Sequence, residues 1–261
     1  MNRLIVHGTG RSGTTITQRI INSHPYIWVT NEFLLYDLAF CYYSRNRLCD
    51  TAKNYFTSLI KQDAWTSLDE HRVQEPYTLN RETFVEECLS NLENDSILGR
   101  IEAVEKTLYK DTEFIYFGDK LLESLALERL MALGLDYKLI YVYRDIRDVV
   151  AAKTLKGFEI NKSDSYDMDC TIDYLTVKKA ISFMKPENVL MLRYEDYETD
   201  LNITKIANFL NEVGGSLFYI NYTKLINKQR LNIGLYKQVI PDWETKFNLE
   251  SIKVLQELNY I

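Results

Sequence analysis

Gly8-Thr9-Gly10-Arg11-Ser12-Gly13-Thr14-Thr15 decides the reading of this 261-residue chain, because three of its ten glycines fall within six residues. The run Arg3-Leu4-Ile5-Val6-His7 before it reads as a buried strand. After it, Thr14 to Ser23 reads as a helix, with Ile16, Ile20 and Ile21 on one face and His24-Pro25 as its stop. Tyr26 to Thr30 reads as a second strand. Backbone N–H groups in such a loop, and at the start of the helix it opens, converge on an anion. Glycine lets the chain pass close to a phosphate and adopt positive φ.

Working outward, Asn31 to about Ser96 is helical and aromatic in pattern (FLLYDLAFCYY, AKNYFTSLI, RETFVEECLSNL). Phe114 to Phe117 reads as a short strand, followed by Gly118-Asp119-Lys120 and an amphipathic helix from Leu121 to Leu133 that Gly134 closes. Tyr137 to Tyr143 is the strongest strand and runs into Arg144-Asp145-Ile146-Arg147-Asp148 and a helix. A helix over Cys170 to Met184 precedes a strand over Val189 to Arg193, and helices follow at Leu201 to Leu210 and Leu249 to Leu258. Strands alternating with helices predict a parallel sheet covered on both faces. The expectation is one α/β domain over residues 1–261, with a helical insertion at about 33–96 after the second strand.

Composition narrows the class. The chain is 46% apolar and 26% charged with only four prolines, which excludes collagen, low-complexity disorder and a disulfide miniprotein. Its 31 Lys and Arg against 37 Asp and Glu give a net charge of −6, so no nucleic-acid partner is expected. A polyanionic ligand must be held by a local site. Cys41, Cys49, Cys88 and Cys170 form no C-x-x-C pair, so no metal site is indicated and reduced thiols are expected. The chain opens directly on a strand, and no run reaches the ~18 apolar residues of a membrane span. A soluble, cytoplasmic protein without a transmembrane segment is expected.

The glycine loop supports several chemistries. Gly8-x-Gly10-x-x-Gly13 matches a dinucleotide fingerprint, with Glu32 19 residues past Gly13 where a ribose-binding acid belongs. Gly8-x4-Gly13 also fits a Walker loop, but Thr14-Thr15 stand where that loop has lysine and a hydroxyl residue. The cation here is Arg11, inside the loop. A third reading is a loop that grips one 5′-phosphate carrying a leaving group, with charge from Arg11 and donors from Ser12 to Thr15. A tight turn with no ligand is the plain alternative.

Arg11-Ser12-Gly13-Thr14-Thr15 resembles the 5′-phosphosulfate loop of sulfotransferases that use 3′-phosphoadenosine 5′-phosphosulfate. Tyr141-Val142-Tyr143-Arg144-Asp145-Ile146-Arg147-Asp148-Val149-Val150 resembles that family's strand, arginine and helix, whose arginine holds the 3′-phosphate. Arg193-Tyr194-Glu195-Asp196 is similar to its Tyr-Glu-Asp element, with Tyr194 near the nucleotide. Arg230 to Lys237 resembles its basic loop over the cofactor, with Arg230 as ligand and Tyr236 where tryptophan is commoner. One departure stands out: the serine expected eight residues after Arg144 is Ala152, leaving the 3′-phosphate site one donor short unless Lys153 or Thr154 substitutes. The resemblance implies a P-loop-type central parallel sheet flanked by helices. It also implies a metal-free sulfuryl transfer from that donor to a hydroxyl, with adenosine 3′,5′-bisphosphate as product.

Gly10, Arg11, Ser12, Gly13, Thr14, Thr15, Arg144, Tyr194 and Arg230 are therefore the candidate nucleotide ligands. Glu32, 21 residues after Arg11, matches the family's base, and Lys120 matches a lysine near the transferred sulfonate, where it would act with Arg11. A capping or surface carboxylate, and a solvated lysine at a helix start, are the bland alternatives for these two. His71 is the second candidate base, while His7 and His24 read as structural. The acceptor is expected to be a carbohydrate or glycolipid hydroxyl, with tyrosine second. A kinase using ATP and Mg²⁺, and a non-catalytic nucleotide-binding module, are the competing functions.

Overall fold

The computed structural model describes residues 2–32, 51–61, 81–109, 114–121, 124–157, 166–210 and 231–261. The expected opening is present as β1 (Asn2–His7), α1 (Thr14–Ile21) and β2 (Ile27–Asn31). Helices α2 (Ala52–Lys61), α3 (Arg81–Ser90) and α4 (Ile97–Tyr109) precede β3 (Tyr116–Leu121) and α5 (Ser124–Ala132). Then come β4 (Lys138–Tyr143), α6 (Ile146–Leu155), α7 (Tyr166–Ile181), β5 (Val189–Arg193) and α8 (Leu201–Phe209). Short helices α9 (Tyr236–Val239) and α10 (Trp243–Lys246) lead to α11 (Leu249–Glu257). The strands form one five-stranded parallel sheet in the order β2-β3-β1-β4-β5, flanked by helices. By contact density the chain falls into two compact units, Met1–Val6 with Gln18–Leu139, and His7–Thr17 with Ile140–Ile261.

In the first unit, β2 and β3 run parallel with Asn31 opposite Lys120. Leu4, Ile5, Val6, Trp28, Val29 and Phe117 are buried, as their unbroken apolar runs require of covered strands. Trp28 and Phe117 meet edge to face at 5.4 Å, a geometry that adds about 0.5–1.5 kcal/mol to their burial. Gly118 is obligatory: a Cβ there would fall 1.6 Å from the Leu4 carbonyl oxygen. The outer edge of β2 is tied to α1. Asn22 Nδ2 and Gln18 Nε2 each donate to the Val29 carbonyl at 2.8 Å, and the Val29 N–H donates to Asn22 Oδ1 at 2.8 Å. Arg3 of β1 makes a two-pronged bond to Glu105 of α4, both distances 2.8 Å.

Three sequence expectations shift here. The strand placed at Phe114 to Phe117 is instead Tyr116–Leu121, and α5 starts at Ser124 rather than Leu121. Pairing with β2 and burial of all six residues override the weak strand propensity of Gly118-Asp119-Lys120. Thr30 Oγ1 donates to Asp119 Oδ1 at 2.6 Å, which makes the buried carboxylate tolerable. The helices after β2 also continue beyond residue 96, because Ile97, Ile101, Val104 and Leu108 repeat at helical spacing through α4. The turn after α5 is as expected: Gly134 has φ 69°, its N–H donates to the Met131 carbonyl, and the Leu135 N–H reaches the Leu130 carbonyl.

In the second unit, α6 begins directly after Arg144, with Asp145 as its cap accepting from the Arg147 N–H at 2.9 Å. Such a cap contributes about 1 kcal/mol. Helix α7 starts at Tyr166, ahead of the expected Cys170, and buries Cys170, Tyr174 and Val177 on one face. Strand β5 is as expected, and a 3-10 turn over Tyr194–Glu198 follows it. Among the described residues no helix is long and apolar enough to cross a membrane.

Candidate functional site

The loop after β1 is built around a tight turn. The Ser12 N–H donates to the Thr9 carbonyl at 2.9 Å, and the third residue of that turn, Arg11, has φ 78°. Positive φ at the third position and not the second is the type II pattern, which favours glycine there. An arginine in this conformation carries a backbone cost of roughly 1–2 kcal/mol, and such cost concentrates at functional sites. Its side chain is exposed. Gly13 follows with φ 105°, and α1 opens at Thr14. The first-turn N–H groups of a helix have no acceptor within it, so they point out at this loop.

The loop is braced from beneath by the segment after β5. The Tyr194 ring lies against Gly13 so closely that a Cβ there would fall 2.3 Å from its Cδ2. Tyr197 and Thr17 hydroxyls share a hydrogen bond at 2.6 Å, and Thr17 Oγ1 donates to the Gly13 carbonyl at 3.0 Å. Burial raises the Tyr194 pKa above the ordinary tyrosine value, which keeps the phenol neutral. The Ser12 N–H is used in the turn, and its hydroxyl is buried against the space that a Gly8 side chain would fill, without a hydrogen-bond partner among the described residues.

Arg144 joins the same site. It is 7% exposed, its guanidinium lies 4.4 Å above the Tyr194 ring, and Nη1 donates to the Arg11 carbonyl at 3.1 Å. Nη2 donates to the Asn232 carbonyl, and Asp148 lies 3.7 Å away. Nε is buried without a hydrogen-bond partner among the described residues. The Asp148 carboxylate, 1% exposed, accepts the N–H groups of Gly234 at 2.8 Å and Tyr236 at 3.0 Å. The segment Asn232 to Tyr236 is thus pinned to Arg144 and to the start of α6. Arg147 pairs with Asp145 at 2.7 Å, and its guanidinium carbon lies 4.2 and 4.7 Å from the ring centres of Tyr236 and Trp243. Ala152 is buried and offers no hydroxyl.

Glu32 and Lys120 belong to the first unit and form an ion pair of 2.6 Å. Glu32 follows β2 directly and has φ 60°, so it too stands in the left-handed region that disfavours side chains. Its side chain is 40% exposed, while that of Lys120 is 3% exposed. Lys120 is therefore no solvated lysine at a helix start. It is an interior residue of β3, one step past the Thr30–Asp119 pair in the β2–β3 register.

Arg230 and His71 lie outside the described residues. His7 and His24 are buried, and the His24 Nδ1 accepts the Tyr26 N–H at 3.2 Å, in keeping with structural roles. Sequence reasoning passed over two buried acids, Asp148 and Asp173. Asp173 lies on the inward face of α7 with Cys170 and Val177, and a carboxylate on an apolar helix face is the signal that would have marked it.

No curated protein matches the sequence. Solved structures do match in fold. The sulfotransferase domain from the curacin biosynthetic pathway has a TM-score of 0.60 at 16% identity, covering 100% of this chain and 98% of its own. The sulfotransferase domain from the Synechococcus PCC 7002 olefin synthase has a TM-score of 0.53 at 16% identity, with 100% and 95% covered. Sulfotransferase STF9 from Mycobacterium avium has a TM-score of 0.50 at 13% identity, with 95% and 77% covered. At these identities the structures speak to the fold alone. The family model described as "Sulfotransferase family" matches residues 3–212, a span that holds the loop, Glu32, Lys120, Arg144 and Tyr194. On that match this chain is an enzyme of the sulfotransferase family.

Proposed function

We propose that the chain moves the sulfuryl group of 3′-phosphoadenosine 5′-phosphosulfate onto a hydroxyl, with adenosine 3′,5′-bisphosphate leaving. The observation that carries this reading is Arg11, held at φ 78° with its side chain exposed where α1 opens. A phosphate is neutralised there by one guanidinium and a helix terminus, the anion chemistry of a loop without the Walker lysine. The residues fit such a nucleotide at its 5′ end. At the 3′ end, Arg144 Nε is a buried donor without a partner among the described residues, whereas Ala152 supplies no donor.

In this reading Gly10, Arg11, Gly13, Thr14 and Thr15 hold the phosphosulfate end, while Ser12 shapes the turn. Tyr194 supports the loop through Gly13 and also carries Arg144. Arg144 and Arg230 act on the 3′-phosphate side. The bound donor supplies an electrophilic sulfur on a good leaving group. Glu32 takes the proton of the acceptor hydroxyl on its half-exposed carboxylate, one oxygen of which pairs with Lys120. Lys120 and Arg11 neutralise charge on the oxygen that leaves. No step asks for a metal ion. A carbohydrate or glycolipid hydroxyl is the proposed acceptor, ahead of tyrosine.

Calorimetry with adenosine 3′,5′-bisphosphate, Mg·ATP and NAD tests the reading. The bisphosphate is expected to bind in the presence of chelator and to bind best. Tighter binding of Mg·ATP or NAD overturns the proposal in favour of a kinase or a dinucleotide protein.

A further inference from the structure

We infer that Asp173, on α7, is a positioning residue for the loop, and that it acts through Thr9. Two contacts meet on its buried carboxylate. The Thr9 hydroxyl donates to Oδ2 at 2.8 Å, and His7 Nε2 lies 3.0 Å from Oδ1. His7 is fully buried at the end of β1, with the Tyr141 ring stacked on it at 5.8 Å. A ring nitrogen facing a carboxylate oxygen carries the hydrogen, so His7 donates and fixes one oxygen while Thr9 takes the other.

Thr9 is the first residue of the turn whose third residue is Arg11. Its carbonyl accepts the Ser12 N–H, and its side chain is tied to Asp173. Residues held in sparsely populated backbone regions persist only where the surroundings over-determine them. Arg11 is held from both sides of that turn: at its own carbonyl by Arg144, and at Thr9 by Asp173. Arg144 also holds the segment Asn232 to Tyr236, whereas among the described residues Asp173 bonds only to His7 and Thr9. A buried carboxylate spent on one loop hydroxyl and the last residue of the preceding strand is a fixed anchor. It sets where the turn begins, and hence where the Arg11 side chain and the α1 N-terminus present themselves.

This inference concerns the conformation of the loop, and it rests on the proposed function only for its effect on nucleotide binding. The test therefore has two readouts. Hydrogen exchange of the loop amides in the nucleotide-free protein needs no ligand. Calorimetry uses adenosine 3′,5′-bisphosphate. Thr9→Val removes the hydroxyl at nearly constant volume, Thr9→Ser keeps it, and Asp173→Asn weakens the acceptor. Thr9→Val and Asp173→Asn are expected to speed exchange at residues 8–13 alone and to weaken bisphosphate binding roughly ten- to a hundredfold, the worth of a charge-assisted bond. Thr9→Ser is expected to stay within about threefold of the wild type on both readouts. Should Asp173→Asn fail to fold, the Thr9 pair carries the test. Unchanged loop exchange in Thr9→Val overturns the anchor, as does exchange that rises equally throughout the second unit. A wild-type protein that ignores the bisphosphate while Thr9→Val still loosens the loop leaves the anchor standing and removes the donor assignment instead.

Discussion

Arg11 and Glu32 both stand at positive φ, yet they are held in opposite ways. At Arg11 the protein grips the backbone, through the Thr9–Ser12 turn and the Arg144 bond, and leaves the side chain exposed. At Glu32 it grips the side chain, through a 2.6 Å ion pair to a lysine that is almost wholly buried. The first arrangement offers a charge to whatever anion arrives. The second withholds one, because the carboxylate is engaged before any substrate is present. An exposed cation on a held backbone and a carboxylate held by its side chain are different devices built on the same backbone conformation.

The contrast breaks most sharply at Glu32. Glu32→Gln keeps the shape and removes the basicity, so turnover should fall about 10²–10⁴-fold while bisphosphate affinity stays within about twofold. Steady-state rates beside calorimetry decide it. Lost affinity with intact turnover would move the carboxylate to a binding role and return His71 to candidacy as base. At Arg11 affinity is expected to fall together with turnover. Arg11→Gly should weaken the bisphosphate roughly 10–100-fold. It should also raise stability by about 1 kcal/mol, since glycine carries no penalty at φ 78°. A denaturant titration that finds the variant less stable would mean that the arginine side chain holds the loop, not the reverse.

A third substitution sharpens the comparison from the side of the brace. Arg144→Ala removes the grip on the Arg11 carbonyl, so adenosine 5′-phosphosulfate and the bisphosphate should both bind about tenfold more weakly, with any further loss for the bisphosphate measuring the share of the 3′-phosphate. Equal affinity of wild type and variant for both ligands would remove Arg144 from the site. The smallest expected effect is none at all. Burial pushes the thiols of Cys88 and Cys170 up to about 12, so neither should react with a thiol reagent at pH 8 until the protein unfolds. Prompt labelling of either in the native protein would show that its surroundings open.

Much of this was legible in the sequence. The glycine loop, the strand and helix on either side of it, and the arginine at the end of β4 follow from residue types whose local preferences agree with their tertiary roles. Where those levels disagree, sequence reading slipped. Gly118-Asp119-Lys120 looks like a loop, and only the ladder with β2 makes it a strand. The burial of Lys120 and its pairing with Glu32 follow from that ladder, so neither was readable in advance. The α4 pattern was present but lay beyond the aromatic stretch that drew attention. Asp148 and Asp173 bind across 86 and 164 residues of sequence, distances at which no local pattern reports a partner.

The clasp of Val29 by Asn22 and Gln18 bears on how this protein keeps to itself. Among the described residues β2 is the last strand on its side of the sheet, the place where a second copy would add a strand of its own. At Val29 the side-chain amide of Asn22 both gives and takes a hydrogen bond, as a neighbouring strand residue would. A newcomer must first break three bonds there, with Gln18 supplying the third. At Val29 the chain has already filled, with amides from its own first helix, the position a foreign strand would need, so addition of a strand is blocked at that residue.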